Sequence, residues 1–237
     1  MSIAKNSGAS TSSAASGTSL TFANTVDAGT DTAMRVGAGI DGSAETITGV
    51  TFNGVALAQA ITQSTATQRA EQWMLAAPDA GAAHNVVISA SASASIQGGA
   101  DSYDGVDQTT PWDSARNQGT QASSTNPTLT YTGATAGDYI LSYCTKGSTN
   151  APGMVASGAQ TESWRVGGNG AQAGAYVPSA AAGNNTLSWT AAYTNQWNLA
   201  AITLNVAAAG GAVINPLAGL ISFGGELMPA KTLIVAR

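Results

Sequence analysis

Three aspartates near the middle of the chain, Asp101, Asp104 and Asp107, lie at every third position and could supply carboxylate oxygens to one calcium ion. Calcium binds several oxygen ligands, which a short loop can bring together. The spacing is not that of an EF-hand, and the Asp104-Gly105 pair is equally typical of a turn. The sequence therefore favours a turn with no bound metal. A calcium site formed by the three aspartates is the weaker alternative.

No group of residues has the types and spacing of a catalytic site. His84, the single histidine, precedes the run NVVIS and has no nucleophile or orienting acid near it in sequence. Two carboxylates could cleave a glycoside, but the few acids of this chain occupy no distinctive setting. The glycine-rich stretch at 167–175 does not follow a strand and open a helix, as phosphate-binding loops do. The sequence predicts a protein that is not an enzyme and has no cofactor.

The five tryptophans fall into two groups. Trp73 and Trp189 lie in alternating runs and are predicted to be core residues. Trp112, Trp164 and Trp197 lie at predicted strand ends or in loops, where an exposed ring could stack on the apolar face of a sugar. These three are the candidate glycan platform, although Trp112 is more simply explained as packing beneath its own loop.

Charge is sparse and slightly acidic. Only 9% of the residues are charged and the net charge is −5, with no basic stripe to neutralise phosphates, so nucleic-acid binding is not expected. No apolar stretch is long and uninterrupted enough to predict a membrane helix. The first twenty residues lack the apolar region of a secretion signal, which predicts synthesis without export. The single cysteine, Cys144, lies in a strand-like run and is predicted to be a core residue.

Alternating apolar and polar residues, separated by turn residues, predict an all-β, antiparallel two-sheet β-sandwich of jelly-roll type. The hairpin at 49–60 turns at Asn53-Gly54, a strong signal for a two-residue turn. The stretch GVDQTTPWDS at 105–114 is predicted to close one strand and to cover an end of the sandwich. The other predicted strands are 19–24, 33–40, 68–78, 84–95, 96–106, 126–133, 137–144, 159–167, 173–178, 184–193 and 197–208.

Three regions are predicted along the chain: a flexible arm over residues 1–18, the sandwich over 19–208, and an apolar docking segment over 209–237. The docking segment would be an aggregation hazard if it were free, so it is expected to bind its own sandwich, another copy or another protein. Its candidate partner-binding residues are Ile214, Leu217, Leu220, Ile221, Phe223, Leu227, Leu233, Ile234 and Val235.

Four phrases resemble a β-sandwich module that recurs in tailed-phage virion proteins and in bacterial secreted multidomain proteins. They are GVTFNGVALAQA, AEQWMLAAPDAGAAHNVVISAS, SYDGVDQTTPWDS and NNTLSWTAAYTNQWNLAAITLNV. The resemblance covers about residues 19–207 and implies a fold more than a function, because one fold supports many functions. It carries over no catalytic residues.

Together these features predict a virion protein, assembled in the host cytoplasm. The favoured function is a capsid decoration (cement) protein that bridges capsid subunits, with the major capsid protein or other virion proteins as partners. A homo-oligomer, most simply a trimer, is expected. The alternative is a carbohydrate-binding receptor, adhesion or tail-fibre module that uses the exposed tryptophans. Neither function involves nucleic acid or a membrane.

Overall fold

A computed structural model of the chain describes residues 2–41, 44–66, 68–116, 118–146, 154–166, 171–191 and 194–208. These residues form antiparallel strands and one 3-10 turn, Ser114–Arg116, which confirms the all-β prediction. The strands are β1 Ala4–Thr25, β2 Ala33–Asp41, β3 Ile47–Phe52, β4 Val55–Ala56, β5 Ala58–Ser64, β6 Gln68–Ala76, β7 Ala83–Asp104, β8 Gln118–Ser124, β9 Thr128–Ala134, β10 Tyr139–Lys146, β11 Val155–Gly158, β12 Thr161–Arg165, β13 Ala171–Val177, β14 Gly183–Thr190 and β15 Asn195–Leu204.

The first sheet has the strand order β4-β3-β7-β2-β6-β5, and β1 also pairs with β7. The 22-residue strand β7 is long enough to serve two neighbours in succession on one edge, β3 along residues 86–90 and β2 along residues 95–103. Its other edge pairs with β1 from Ala4 to Thr25.

The β1–β7 pair bends back on itself. Ser10 donates a hydrogen bond to Asn24 at 2.6 Å, and a side-chain atom on Gly8 would lie 2.8 Å from the carbonyl oxygen of Thr25. The two ends of β1 therefore meet, and the first sheet is nearly closed into a barrel. Register shifts between Ala14 and Ser19 accompany the bend, as β-bulges commonly do.

The remaining strands are shared between two further sheets, where the sequence predicted two sheets in all. The second sheet has the order β12-β13-β10-β15-β8, and the third has the order β11-β14-β9. Side-chain hydrogen bonds from the first sheet to main-chain carbonyls of β10 and β13 show that the second sheet packs on the first. The third sheet packs on the opposite face of the second, so the second sheet is the middle layer.

The two largest apolar cores follow from this layering. The first lies inside the curled first sheet and includes Leu20, Phe22, Met34, Val36, Ala38, Val50, Phe52, Trp73, Ile88 and Ile96. The second lies between the second and third sheets and includes Leu129, Tyr131, Ile140, Cys144, Val177, Leu187, Trp189 and Leu199. The prediction that Trp73 and Trp189 are core residues is confirmed. Met34, Val36 and Ala38 alternate along β2 and share one face in the first core.

The hairpin between β3 and β4 has the predicted turn. Asn53 and Gly54 both adopt positive φ angles, 48° and 79°, and Phe52 pairs with Val55 directly across the turn. Consecutive positive φ angles define the type I′ turn, whose twist matches that of the flanking strands.

Residues 4–18, expected to be a flexible arm, belong to β1, because a ladder of main-chain hydrogen bonds needs no apolar side chains. By its internal contacts the chain divides into two units, Met1–Ala207 and Ala208–Arg237. The predicted docking segment, residues 209–237, lies outside the described residues, as do all of its candidate partner-binding residues.

Close packing between the first two sheets depends on glycine. A Cβ atom at Gly99 would lie 2.4 Å from the ring of Trp164, whereas a Cβ atom at Gly49 would meet nothing within 4 Å. We expect Gly99→Ala to cost about 1–3 kcal/mol because the core is overpacked. Gly49→Ala is the matched control and should be neutral or stabilising by about 0.4–1 kcal/mol. Thermal unfolding followed by circular dichroism measures both, and equal melting temperatures would contradict the packing argument.

Candidate functional site

The least ordinary group of side chains lies between the first and second sheets, around the ion pair of Arg35 and Asp101. Both side chains are fully buried. Arg35 is in β2 and Asp101 is directly across from it in β7, so the sheet register places the two side chains next to each other on one face. The guanidinium donates two hydrogen bonds to the carboxylate, from Nε to Oδ1 at 2.8 Å and from Nη2 to Oδ2 at 2.5 Å.

The remaining hydrogen-bonding capacity of the pair is used across the sheets. Arg35 Nη1 donates to the carbonyl oxygens of Ser142 in β10 at 3.1 Å and Ala175 in β13 at 3.2 Å. The Asp101 carboxylate also accepts from the hydroxyl of Tyr103 at 2.8 Å and from Ser163 in β12. The ion pair thereby links five strands of the two sheets, and these additional hydrogen bonds are what a buried charge pair requires if it is to be tolerated.

Electrostatics favour the charged form of Arg35. Burial, the largest single effect, lowers the pKa of the guanidinium, but Asp101 together with Tyr103 and Tyr139 raises it above its ordinary value. Burial also raises the pKa of Tyr103 well above its ordinary value, so its hydroxyl stays a proton donor to Asp101. The guanidinium carbon lies 5.9 Å from the ring centre of Tyr103 and 6.0 Å from that of Trp164, within cation–π range. The arrangement stabilises the charged form of the Arg35 guanidinium.

Trp164 fills a pocket whose walls are glycines. Cβ atoms at Gly37 in β2, Gly99 in β7 and Gly174 in β13 would lie 2.7, 2.4 and 2.5 Å from its ring. The side chain is buried, at 5% exposure, which corrects its assignment to the glycan platform. Trp197 is also buried, at 3% exposure, with its ring nitrogen donating to Ser124 at 3.0 Å, so it too is withdrawn from that platform. The Trp164 ring is covered by the first sheet, and the Trp197 ring lies in the second core, between the second and third sheets.

Trp112, the third glycan candidate, is half-buried. It forms an isolated β-bridge with Leu204, while Pro111 beside it is buried. The ring lines a shallow depression of about 210 Å³ together with Thr109, Thr110, Pro111 and Ser114. The stretch 105–114 therefore runs along the end of β15, in agreement with the prediction that it covers one end of the body.

The calcium candidates are held apart by different partners. Asp101 is in the buried ion pair, and Asp104 accepts from Thr32 Oγ1 at 2.7 Å and Asn6 Nδ2 at 3.3 Å. Asp107 accepts the main-chain N–H groups of Thr109 and Thr110, both at 2.8 Å, and these bonds lower the pKa of its carboxyl. Within the described ranges no three acidic, histidine or cysteine side chains converge as a metal site would require. Asp104 instead connects distant segments of the chain, and Asp107 organises a turn.

His84 and Glu71 are both held by contacts with other side chains of the protein. His84 lies in β7 rather than in a turn, 3.1 Å from the carboxylate of Asp79 and edge-on to Phe52. Glu71 accepts hydrogen bonds from Gln59 at 2.8 Å and Trp73 at 3.0 Å, and burial raises the pKa of its carboxyl. No helix in the described part of the chain has the length and apolar character to cross a membrane.

Cys144 is buried in the second apolar core, as predicted, and burial raises the pKa of its thiol well above the ordinary value. Because the thiolate is the reactive form, we expect native protein to be inert to an aromatic disulfide reagent at neutral pH. Unfolding in urea should expose one titratable thiol per chain. Absorbance of the released thiol measures both states, and a fast reaction of the native protein would contradict this placement.

Sequence patterns did not reveal the ion pair. Arg35 alternates with the apolar residues of β2, and alternation ordinarily places a charged residue in solvent. A signal for the buried pair was present in the neighbouring sequence. Arg35 is followed by Gly37 and Gly39, and Asp101 is preceded by Gly98 and Gly99. Glycines on a strand often indicate close approach of a second layer.

No known protein family, curated protein or solved structure matches this chain.

Proposed function

We propose that this chain is a structural protein of a tailed-phage virion, most simply a decoration protein that reinforces the head by bridging capsid subunits. In this role the folded body transmits force between its neighbours and carries out no chemistry. The major capsid protein and further copies of the chain, as a trimer, are the proposed partners.

The observation that carries this proposal is the pairing of β1 with β7 over residues 4–25 and 83–104. Hydrogen bonds of an antiparallel pair lie across the strands, so a pull along one strand loads many of them together. A force on the residues just before Ala4 is thus spread along a long ladder. Strand β7 passes it to β2 and β3 at its other edge, in the middle of the first sheet.

Bracing between layers supports the same proposal. Gln72 of the first sheet donates to the carbonyl oxygen of Ala200 in the second at 2.9 Å. Gln160 connects the second sheet to the third, because it bonds Ser142 of β10 and donates to the carbonyl oxygen of Ser188 in β14 at 2.7 Å. With the Arg35–Asp101 network, all three sheets are cross-linked by buried polar groups, which favours a single rigid packing.

In this proposal, the apolar residues of 209–237 attach the protein to the capsid. On the described part of the body the large exposed apolar side chains are few and scattered: Val55, Val155 and Val206. Isolated residues of this kind do not form a binding surface. The apolar sequence after Gly210 is therefore the proposed source of buried contact area, at about 25 cal/mol per Å² before ordering costs.

Deletion of residues 212–237 tests the proposal. We expect the truncated body to melt at the temperature of the full chain but to be absent from particles of the source phage. Particles that carry the full chain should rupture at higher temperature than particles assembled without it. Gel analysis of purified particles and a dye-release melt measure these results. Truncated chain in normal amounts on the particle, or unchanged rupture, would overturn the assignment.

A second candidate, sugar binding, is favoured by the depression beside Trp112. The half-buried ring and the two exposed threonines, Thr109 and Thr110, offer an apolar face next to hydroxyl groups. If this function operates, the full chain binds glycans on an array and Trp112→Ala abolishes the signal. Val206→Ala, at another exposed apolar position, is the matched control. An array without signal for the unmodified chain eliminates this candidate.

A further inference from the structure

One row of buried polar side chains in the second sheet has hydrogen-bonding groups that the fold does not satisfy. Thr145 in β10 pairs directly with Asn198 in β15 on one side and with Gln172 in β13 on the other. The three residues are 2%, 0% and 1% exposed. Because they share one register position on three adjacent strands, their side chains lie abreast on one face of the sheet.

This face is the one that packs on the first sheet. Tyr143, two residues before Thr145 in the same strand, packs with Ala70 of β6. Gln172 lies against Gly39 of β2, where an added Cβ atom would approach its amide oxygen to 2.5 Å. Gln97 is the partner of Gly39 in β7 and is 5% exposed, so it completes the row from the opposite sheet.

Five polar atoms in this row make no hydrogen bond within the described structure. They are Gln97 Oε1, Thr145 Oγ1, Gln172 Nε2, and both Oδ1 and Nδ2 of Asn198. Both ends of the Asn198 amide therefore lack a partner. Buried polar groups in native proteins are bonded to protein or to ordered water, since an unbonded group keeps its full desolvation cost.

We infer that this row, defined as Gln97, Thr145, Gln172 and Asn198, binds internal water between the first and second sheets. The unsatisfied set contains oxygen acceptors and amide donors in one place, and it includes no charged group. Water matches that mixture, since it donates and accepts at the same time, and sites of this kind hold it with two to four bonds per molecule. A cation would be repelled by the amide N–H groups, and an anion would meet the amide oxygens.

Thr145→Val tests the inference through the sign of its effect. The two side chains have nearly the same shape, so the change removes one hydroxyl and little else. If the hydroxyl binds water, its removal deprives that water of a partner, and we expect the melting temperature to fall by about 2–4 °C. If the hydroxyl is unbonded, the apolar replacement is stabilising and the melting temperature rises. Thr130→Val, at an exposed position of β9, measures the intrinsic effect of the exchange.

Oxygen-17 magnetic relaxation dispersion of the water signal supplies a second reading on the unmodified full-length protein. We expect long-lived internal water in the wild type, and a loss of at least one molecule in Thr145→Val or Asn198→Leu. A wild-type dispersion that neither substitution reduces would overturn the inference, whatever their melting temperatures. A rise in melting temperature for Thr145→Val beyond that of Thr130→Val would overturn it as well.

Discussion

Asp101→Asn is expected to destabilise the folded protein by about 3–5 kcal/mol, because it leaves the fully buried guanidinium of Arg35 without a counter-charge. Asparagine has nearly the same shape as aspartate, so packing changes little and the effect reports the charge. A loss of this size is a large fraction of the stability of an ordinary domain, about 5–15 kcal/mol. Urea unfolding followed by tryptophan fluorescence measures it.

Asp113→Asn is the matched control. Asp113 accepts a hydrogen bond from Arg116 at 2.7 Å in a partly exposed pair, and Arg116 keeps a second carboxylate partner in Asp138. Exposed ion pairs contribute about 0–1 kcal/mol, so the control should change stability little. If Asp101→Asn costs no more than Asp113→Asn, the Arg35–Asp101 pair is hydrated in solution and does not hold the two sheets together.

Trp164→Ala is expected to cost about 3–5 kcal/mol, since it empties a pocket that cannot collapse. Much of the pocket wall is glycine main chain of β2, β7 and β13, which is fixed by hydrogen-bond ladders and cannot move inward to fill the space. The substitution also removes the aromatic face beside Arg35. We expect a lower urea midpoint with an unchanged dependence on urea concentration, as for a change in stability alone.

Trp112→Ala is the comparison for that experiment, because the same atoms are deleted from a half-buried site at the surface. Its cost should be clearly smaller. Comparable losses at the two positions would mean that the pocket around Trp164 relaxes, and that the first two sheets are not held at a fixed spacing by this ring. Glycan binding that survives Trp164→Ala in folded protein would be consistent with the buried position of the ring.

Strands with alternating apolar residues could be predicted from the sequence. The runs at 33–40, 68–78 and 197–208 correspond to β2, β6 and β15, and the turn at Asn53-Gly54 is present. In these segments apolar side chains at alternate positions line an apolar core, although the opposite face is buried as well. Burial of the apolar face is the physical cause of both the pattern and the strand.

Other strands have no alternating apolar pattern in their sequence. Strand β8, with the sequence QGTQASS, is an edge strand that is held by main-chain bonds to β15 and has no buried side chain. The first half of β1 is likewise small and polar and is recognised only through its partner β7. Pairing between distant segments depends on the whole sheet, so it cannot be predicted from the composition of one segment.

The central site was unpredictable for a related reason. Arg35 and Asp101 are separated by 66 positions, and Arg35 bonds the carbonyl of Ala175 at a separation of 140. Each residue alone is typical of a solvent-facing strand position. Only the stacking of a second sheet on that face removes water from them, and stacking depends on glycines whose role is visible only when both layers are known.

The long β1–β7 pair also governs the order in which the polypeptide acquires its shape. Ala4 pairs with Asp104, and β15, in the interior of the second sheet, ends only at Leu204. A ribosome must therefore release the chain through Asp104 before the first sheet can close, and through Leu204 before the second sheet can close. Non-local pairing of this kind makes folding slow. Until β7 has been synthesised, β1 has no strand to pair with. Because β1 has few apolar side chains, it exposes little apolar surface through which the nascent chain could aggregate.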